Sequence, residues 1–299
     1  MGSLLLSISA VERETGLTKD TLRKWEVRYG FPIPTRDSNG QRFYTHSDLD
    51  RLLRVKRLLD LGSRPAKTLR LSLKELTALA AEQCEECLAS DHSEVLDQVW
   101  HALTAPDSVA LRGALNQALV FNGLGIFVLA IMPSLNLMVS NGWMNGKLAI
   151  HQEHLYSETL RNLLLEAISR LQPMPGRAKV LLSTPPDERH DLGMLAVQAV
   201  LALAGAHCIS LGPATPATEL RAAAVSHRVH IIALSFSSAY PSRRILPFLE
   251  QVRRGLPEQI QVWAGGAGID NLRKKPPGVH TFTTLEQMVS ALTSAPSAA

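Results

Sequence analysis

Asp187-Glu188-Arg189-His190-Asp191-Leu192-Gly193 lies between two apolar runs of different character. Before it, Lys179-Val180-Leu181-Leu182-Ser183 has the length of a buried strand, and after it the run from Met194 to Ala204 has the length of a helix. A strand, a polar loop with one histidine, a glycine and a helix begin an α/β unit. Ligands of open α/β sheets bind at the carboxyl ends of the strands, so His190 is expected where a ligand can reach it.

The alternation continues to the C terminus. Strands at 207–211, 229–235, 260–264 and 280–282 alternate with helices at 216–227, 241–254 and 284–293. With strand 179–183 and helix 191–204, they predict a doubly wound, Rossmann-like parallel sheet over 176–299. The loops after the first, third and fourth strands carry His190 with Gly193, Ser235-Phe236-Ser237, and Gly265-Gly266. Small residues at these ends leave room for a flat or buried group between them.

Residues 93–175 read as a four-helix bundle. Its helices begin at Val95 and run from Val109 to Phe121, Gly125 to Val139 and Ala149 to Leu171, and Gln172-Pro173-Met174-Pro175-Gly176 is a linker. The apolar stretch from Val120 to Val139 is interrupted by Asn122, Pro133 and Asn136, and is read as a bundle helix rather than a membrane span. Residues 77–92 read as a helical connector. Its Cys84-Glu85-Glu86-Cys87 has no second cysteine pair beside it and is read as structural. Three cysteines and the lack of a secretory signal point to the cytoplasm.

The first 76 residues form the remaining domain of this 299-residue chain. A short helix closed by Gly16 is followed by a basic helix from Thr18 to Tyr29, with Leu22 and Trp25 three apart on its apolar side. Thr35 to Tyr44 is a hairpin, signalled by Asn39-Gly40. Thr45-His46-Ser47-Asp48 opens a third helix that Gly62 ends, and a short helix follows from Pro65 to Leu71. This is a winged helix-turn-helix pattern. The net charge of +4 permits nucleic-acid binding where it is clustered, as in this domain. Lys19, Thr21, Arg23, Lys24, Arg28 and Tyr29 on the second helix, with Arg36, Gln41, Arg42 and Tyr44 on the wing, are the candidate DNA contacts. Of these, Thr21, Arg23 and Lys24 are assigned to base edges and the basic residues to phosphates.

The domain resembles the MerR family in Arg28-Tyr29-Gly30, Pro34, Gln41-Arg42-Phe43-Tyr44 and Asp48-Leu49-Asp50-Arg51-Leu52. By that resemblance the connector pairs two subunits. The C-terminal third resembles the cobalamin-binding domain, with its His-x-x-Gly loop, Ser-x-Leu-like segment and Gly-Gly turn. The resemblance implies that His190 is the lower cobalt ligand and that Gly193, Ser235, Ser237, Gly265 and Gly266 line the pocket of the cofactor's tail. Imidazole suits cobalt because it offers a neutral nitrogen lone pair. A ligating histidine gives its other ring N–H to a carboxylate, and Asp187, Glu188 and Asp191 are all available. Family members often have aspartate where Glu188 stands. Ser237 replaces the leucine of the Ser-x-Leu segment, a departure expected to touch a pocket wall and not the metal site.

Trp143, followed after nine residues by Glu153-His154, resembles the bundle of light-sensing cobalamin regulators of the CarH/LitR type. That resemblance implies that Trp143, Ile150 and Glu153 enclose the adenosyl group of adenosylcobalamin, and that His154 takes the cobalt position vacated on photolysis. It further implies a non-enzymatic repressor that binds double-stranded operator DNA as a homo-oligomer (dimer or tetramer) and affects RNA polymerase indirectly. Two alternatives are a MlrA-like regulator with the fold but no cobalamin, and a cobalamin-dependent methyltransferase or mutase module.

Overall fold

The structure is a computed structural model that describes residues 5–37, 40–60, 65–72, 75–76, 92–105, 107–175, 177–270, 272 and 276–294. Asn39 of the hairpin signal, Gly62, Gly176 and the connector with Cys84 and Cys87 lie outside the described residues. The chain divides into two compact units, Met1–Ser93 with Leu137–Ile150, and Glu94–Asn136 with His151–Ala299.

In the first unit, β1 (Leu6–Ser7) leads into α1 (Ile8–Thr15) and α2 (Lys19–Tyr29), followed by β2 (Thr35–Arg36), β3 (Arg42–Tyr44), α3 (His46–Asp60) and α4 (Pro65–Thr68). Each helix boundary has a local cause. Ser7 caps α1 by accepting from the Ala10 amide, and Thr18 caps α2 by accepting from that of Thr21. Gly16 and Gly30 end the two helices with φ of 68° and 69°, left-handed values that disfavour side chains. Thr45 and Asp48 form a reciprocal box before α3. The Asp48 amide donates to Thr45 Oγ1 at 3.1 Å, and the Thr45 amide donates to Asp48 Oδ2 at 3.0 Å. Val11, Leu22, Trp25, Tyr44, Leu52, Val55 and Leu58 form the core.

The wing is a three-stranded antiparallel sheet in the order β1-β3-β2, not a two-stranded hairpin. Leu6 and Ser7 pair with Tyr44 and Phe43. A strand of two residues has no periodicity by which the sequence would betray it.

Next come helices α5 (Ser93–Thr104) and α6 (Ser108–Ile126), a π-helical turn (Phe127–Ile131), α7 (Met132–Met144) and α8 (Ile150–Ser169); they belong to the second unit except for Ser93, Leu137–Met144 and Ile150, which belong to the first. Gly123, with φ 75° and ψ 157°, kinks α6 at the break expected between Phe121 and Gly125. Ser108–Met144 is long and apolar enough to cross a membrane. It nevertheless buries a stripe of Leu111, Leu115, Ala118, Phe127, Val128 and Ile131 against protein.

Then come β4 (Lys179–Ser183), α9 (Leu192–Leu203), β5 (His207–Ser210), α10 (Ala217–Ser226), β6 (Ile231–Ser235), α11 (Ser242–Arg253), β7 (Gln261–Gly265), β8 (Val279–Phe282) and α12 (Leu285–Ser294). All five strands are parallel, in the order β5-β4-β6-β7-β8. α9 is apolar nearly all round because it is covered on both sides. It packs on β4 and β6, and also on α6 and the π turn. The chain reverses direction of winding between β4 and β6, and the crevice at such a switch point is where ligands bind. The loop with His190 leaves β4, and Phe236-Ser237 leaves the adjacent β6.

Candidate functional site

On α2, Leu22 and Trp25 face the core, while Asp20, Arg23, Lys24, Val27 and Arg28 are exposed. Arg23, Lys24 and Arg28 are thus at the surface, with Arg23 Nη1 3.6 Å from Asp20 Oδ1. Lys19 is half-buried and pairs with Glu12 at 3.8 Å. Thr21 is half-buried, and its hydroxyl lies 2.9 Å from that of Thr18, so it serves the helix start. Tyr29 is half-buried beneath Arg28, whose guanidinium lies 5.4 Å from its ring centroid. Gln41 is exposed at the hairpin end.

The wing residues differ from expectation. Tyr44 is fully buried in the core, so it is not a DNA contact. Arg36 Nη2 and Arg42 Nε each donate at 2.7 Å to Glu26, one to either carboxylate oxygen. Both arginines therefore fasten the wing to α2, each through one nitrogen, and the Arg36 side chain remains 47% exposed. Burial pushes the Glu26 carboxyl up, but the hydrogen bonds and charges of Arg42 and Arg36 outweigh it and hold it below the usual range. Glu26→Gln is expected to speed amide exchange in 35–44 about tenfold at neutral pH, given charge-assisted bonds of roughly 1–2 kcal/mol screened at this half-exposed site. Because the folded value is lowered, the wild-type advantage is complete above the unfolded carboxylate range. It is lost as pH falls through the folded value of Glu26.

In the second unit, the His190 loop is held by Glu188, whose carboxylate is only 2% exposed. Its Oε1 accepts from the His190 amide at 2.9 Å and lies 2.6 Å from His190 Nδ1. Its Oε2 accepts from the Ser237 amide at 3.1 Å and from the Ser237 hydroxyl at 2.5 Å. Ser237 therefore reaches the histidine's partner, contrary to the expectation of a mere pocket wall. A leucine here could keep the amide bond but not the hydroxyl bond. Burial pushes Glu188 up, but the hydrogen bonds of His190 and Ser237 and the charge of His190 bring it below the usual carboxylate range. The hydrogen bond to Glu188 raises His190, against desolvation, and the charges of Glu188, Glu153 and Asp191 add to the rise. The imidazole is 68% exposed, with Nδ1 committed to Glu188 and Nε2 left as the nitrogen for an outside ligand.

The other two carboxylates of the loop have different partners. Asp191 accepts from Arg161 Nε at 2.7 Å, and Asp187 from Arg244 Nη1 at 3.1 Å. Arg161 is on α8, two turns beyond Glu153, so the helix and the histidine loop are tied together. Nothing at position 161 in the sequence signals this bond across 30 residues. Glu153 accepts from the Ser157 hydroxyl at 2.7 Å, and His154 is exposed beside it. Trp143, half-buried, ends α7, and Ile150, exposed, starts α8; both belong to the first unit.

The small residues leave a cavity of about 190 Å³ lined by Gly193, Ser235, Gly265, Gly266 and Met288, among others. A Cβ on Gly193 would meet Ser235 Oγ at 2.9 Å, and one on Gly266 would meet the Phe236 carbonyl oxygen at 2.4 Å. Among the described residues no group of three or more His, Cys, Asp or Glu side chains is placed to hold a metal ion. A single imidazole beside a glycine-lined groove suits a metal that arrives inside its own macrocycle with a narrow appendage. The donor and the cradle fit a cobalt corrinoid.

Residues 6–70 match the MerR HTH family regulatory proteins. The chain is 30% identical over 257 residues to the HTH-type transcriptional repressor CarH of Myxococcus xanthus, covering 84% of this chain and 85% of that protein. It is 29% identical over 268 residues to the HTH-type transcriptional repressor CarA of the same organism, covering 89% and 88%. The monomethylamine corrinoid protein of Methanosarcina barkeri matches with a TM-score of 0.52 at 15% identity, covering 68% of this chain and 99% of that one. That likeness concerns the fold.

Proposed function

We propose, from the premise that the chain belongs to the family of HTH-type transcriptional repressors that includes CarH, that it represses transcription from operator DNA under the control of adenosylcobalamin and light. One observation carries the cofactor assignment: an exposed imidazole, locked through Nδ1 by a buried carboxylate, on the same loop as Gly193, which lines a cavity together with Ser235, Gly265 and Gly266. His190 Nε2 offers the nitrogen lone pair, Glu188 fixes the ring's tautomer and angle, and Ser237 fixes Glu188. Gly193, Ser235, Gly265 and Gly266 leave room for the corrinoid's tail. Trp143, Ile150 and Glu153 are assigned to the adenosyl side, with His154 as the alternative upper ligand. Bound there, adenosylcobalamin would supply a cobalt–carbon bond that visible light breaks.

The chain's own task is to bind the two states of the cofactor with different affinity, since a ligand shifts an equilibrium only by that difference. The Arg161–Asp191 bond supports the reading, because it joins the histidine loop to the helix that carries Glu153. A dark homo-oligomer would set several helix-turn-helix units on repeated half-sites and gain affinity by avidity.

The test is to purify the chain in the dark with adenosylcobalamin and follow its visible spectrum, particle size and operator affinity before and after illumination. Co-purifying corrinoid and a light-dependent loss of both size and DNA binding are expected. A chain that retains no corrinoid would overturn the cofactor assignment and leave a MerR-like regulator governed by other partners. Retention without any light response would overturn the photoreceptor part alone.

A further inference from the structure

Val27 is 86% exposed, more than any other large apolar side chain among the described residues. Single exposed apolar residues are ordinary on protein surfaces; what sets this one apart is its place. On α2 the exposed positions are 20, 23, 24, 27 and 28, the spacing of one helix face. Three of its five residues are Arg23, Lys24 and Arg28. A β-branched valine there is a poorer helix former than Lys or Arg and hides no surface from water. Its neighbour Glu26 is gripped from both oxygens by the wing arginines, so the helix is held firmly to β2 and β3. The face is therefore rigid, basic and apolar at one point.

The charge of this face fits a polyanion, and the helix-turn-helix sets the face against double-stranded DNA. On the base edges of the major groove, the one apolar group is the C5 methyl of thymine. Arginine and lysine at 23, 24 and 28 can reach phosphates or guanine edges with their charged heads, and Val27 is the one wholly apolar side chain on this face. We propose that Val27 is a specificity-determining residue that packs on a thymine methyl in the major groove of the operator. The assignment rests on the DNA-binding function and is independent of the cofactor.

Replacing thymine by uracil deletes that methyl and nothing else. Operator duplexes are first selected from a random pool with the full chain. Each thymine of the selected site is then replaced singly by uracil, and affinities are measured for wild type, Val27→Ala and Arg28→Ala. Alanine favours the helix, so Val27→Ala is expected to fold. At one thymine of each half-site, uracil should weaken wild-type binding about fourfold, the worth of one buried methyl. Val27→Ala should bind the thymine and uracil duplexes equally at that position. Arg28→Ala should weaken binding to all duplexes and lower its salt dependence by about one ion while keeping the uracil effect. Salt-dependent binding with no uracil-sensitive thymine, or a uracil effect that persists in Val27→Ala, would overturn the assignment of Val27 and leave DNA binding intact. A chain that binds no duplex at all would overturn the DNA-binding function together with it.

Discussion

His190→Ala is expected to weaken retention of adenosylcobalamin about 100-fold and to give any corrinoid still bound the visible spectrum of a form without an imidazole on its lower face. The side chain is exposed, so the substitution leaves the sheet and its core untouched. The substitution removes one of four donors to the buried Glu188 carboxylate, which keeps the backbone amide of residue 190 and both Ser237 donors, so a loss of about 1–2 kcal/mol in apo stability is expected. A loss of cofactor retention larger than this loss of stability separates ligation from folding. Glu188→Gln is the companion experiment. Glutamine cannot accept at all four donors, because its amide nitrogen opposes one donor pair. A loss of about 10- to 100-fold in retention, as for partners of metal-ligating histidines, is expected with His190 itself intact. Retention equal to wild type in His190→Ala would remove the residue from the metal site.

Gly266→Ala is expected to destabilise the second unit by about 3 kcal/mol, read as a fall of about 10 °C in thermal midpoint. Two costs combine. Residue 266 has φ 93° and ψ 163°, a conformation that L side chains rarely adopt, and the added Cβ would stand 2.4 Å from the Phe236 carbonyl oxygen. That oxygen is backbone, and it already accepts from the Gly268 amide at 2.9 Å, so it has nowhere to move. Gly193→Ala is a contrasting case. Its Cβ would meet a serine hydroxyl at 2.9 Å, a group that can rotate away. It should therefore keep most of the stability while narrowing the groove, so that cofactor retention falls more than the midpoint does. Equal midpoints for wild type and Gly266→Ala would contradict the close approach of these two loops.

Much of this architecture was legible in the residues. Alternating strands and helices after 178, and two capped helices before residue 30, are local patterns written in hydrophobic period and cap chemistry. The glycines at 193 and 266 could be read as points of close approach, since an added Cβ would stand 2.9 and 2.4 Å from a neighbouring atom. The errors fell where a side chain's partner is distant. Tyr44 alternates like a surface wing residue, but β1 pairs alongside β3 and the ring turns into the core. Arg36 and Arg42 read only as phosphate ligands in the sequence, where nothing shows that both also bind Glu26. Ser237 looked like a departure from a motif, but a hydroxyl beside Glu188 gives it a function that leucine could not have.

The Asp187–Gly193 loop shows the division most clearly. By itself the sequence determined that a histidine follows a buried strand and precedes a helix, because such elements declare themselves within a few residues. It also offered three carboxylates to orient that histidine, with no ground for choosing. The tertiary structure made the choice: Asp187 goes to Arg244, Asp191 to Arg161, and Glu188 to His190. The reason is physical. Strand order and helix packing bring together groups 30 to 57 residues apart, and pairings over such separations leave no period in the chain.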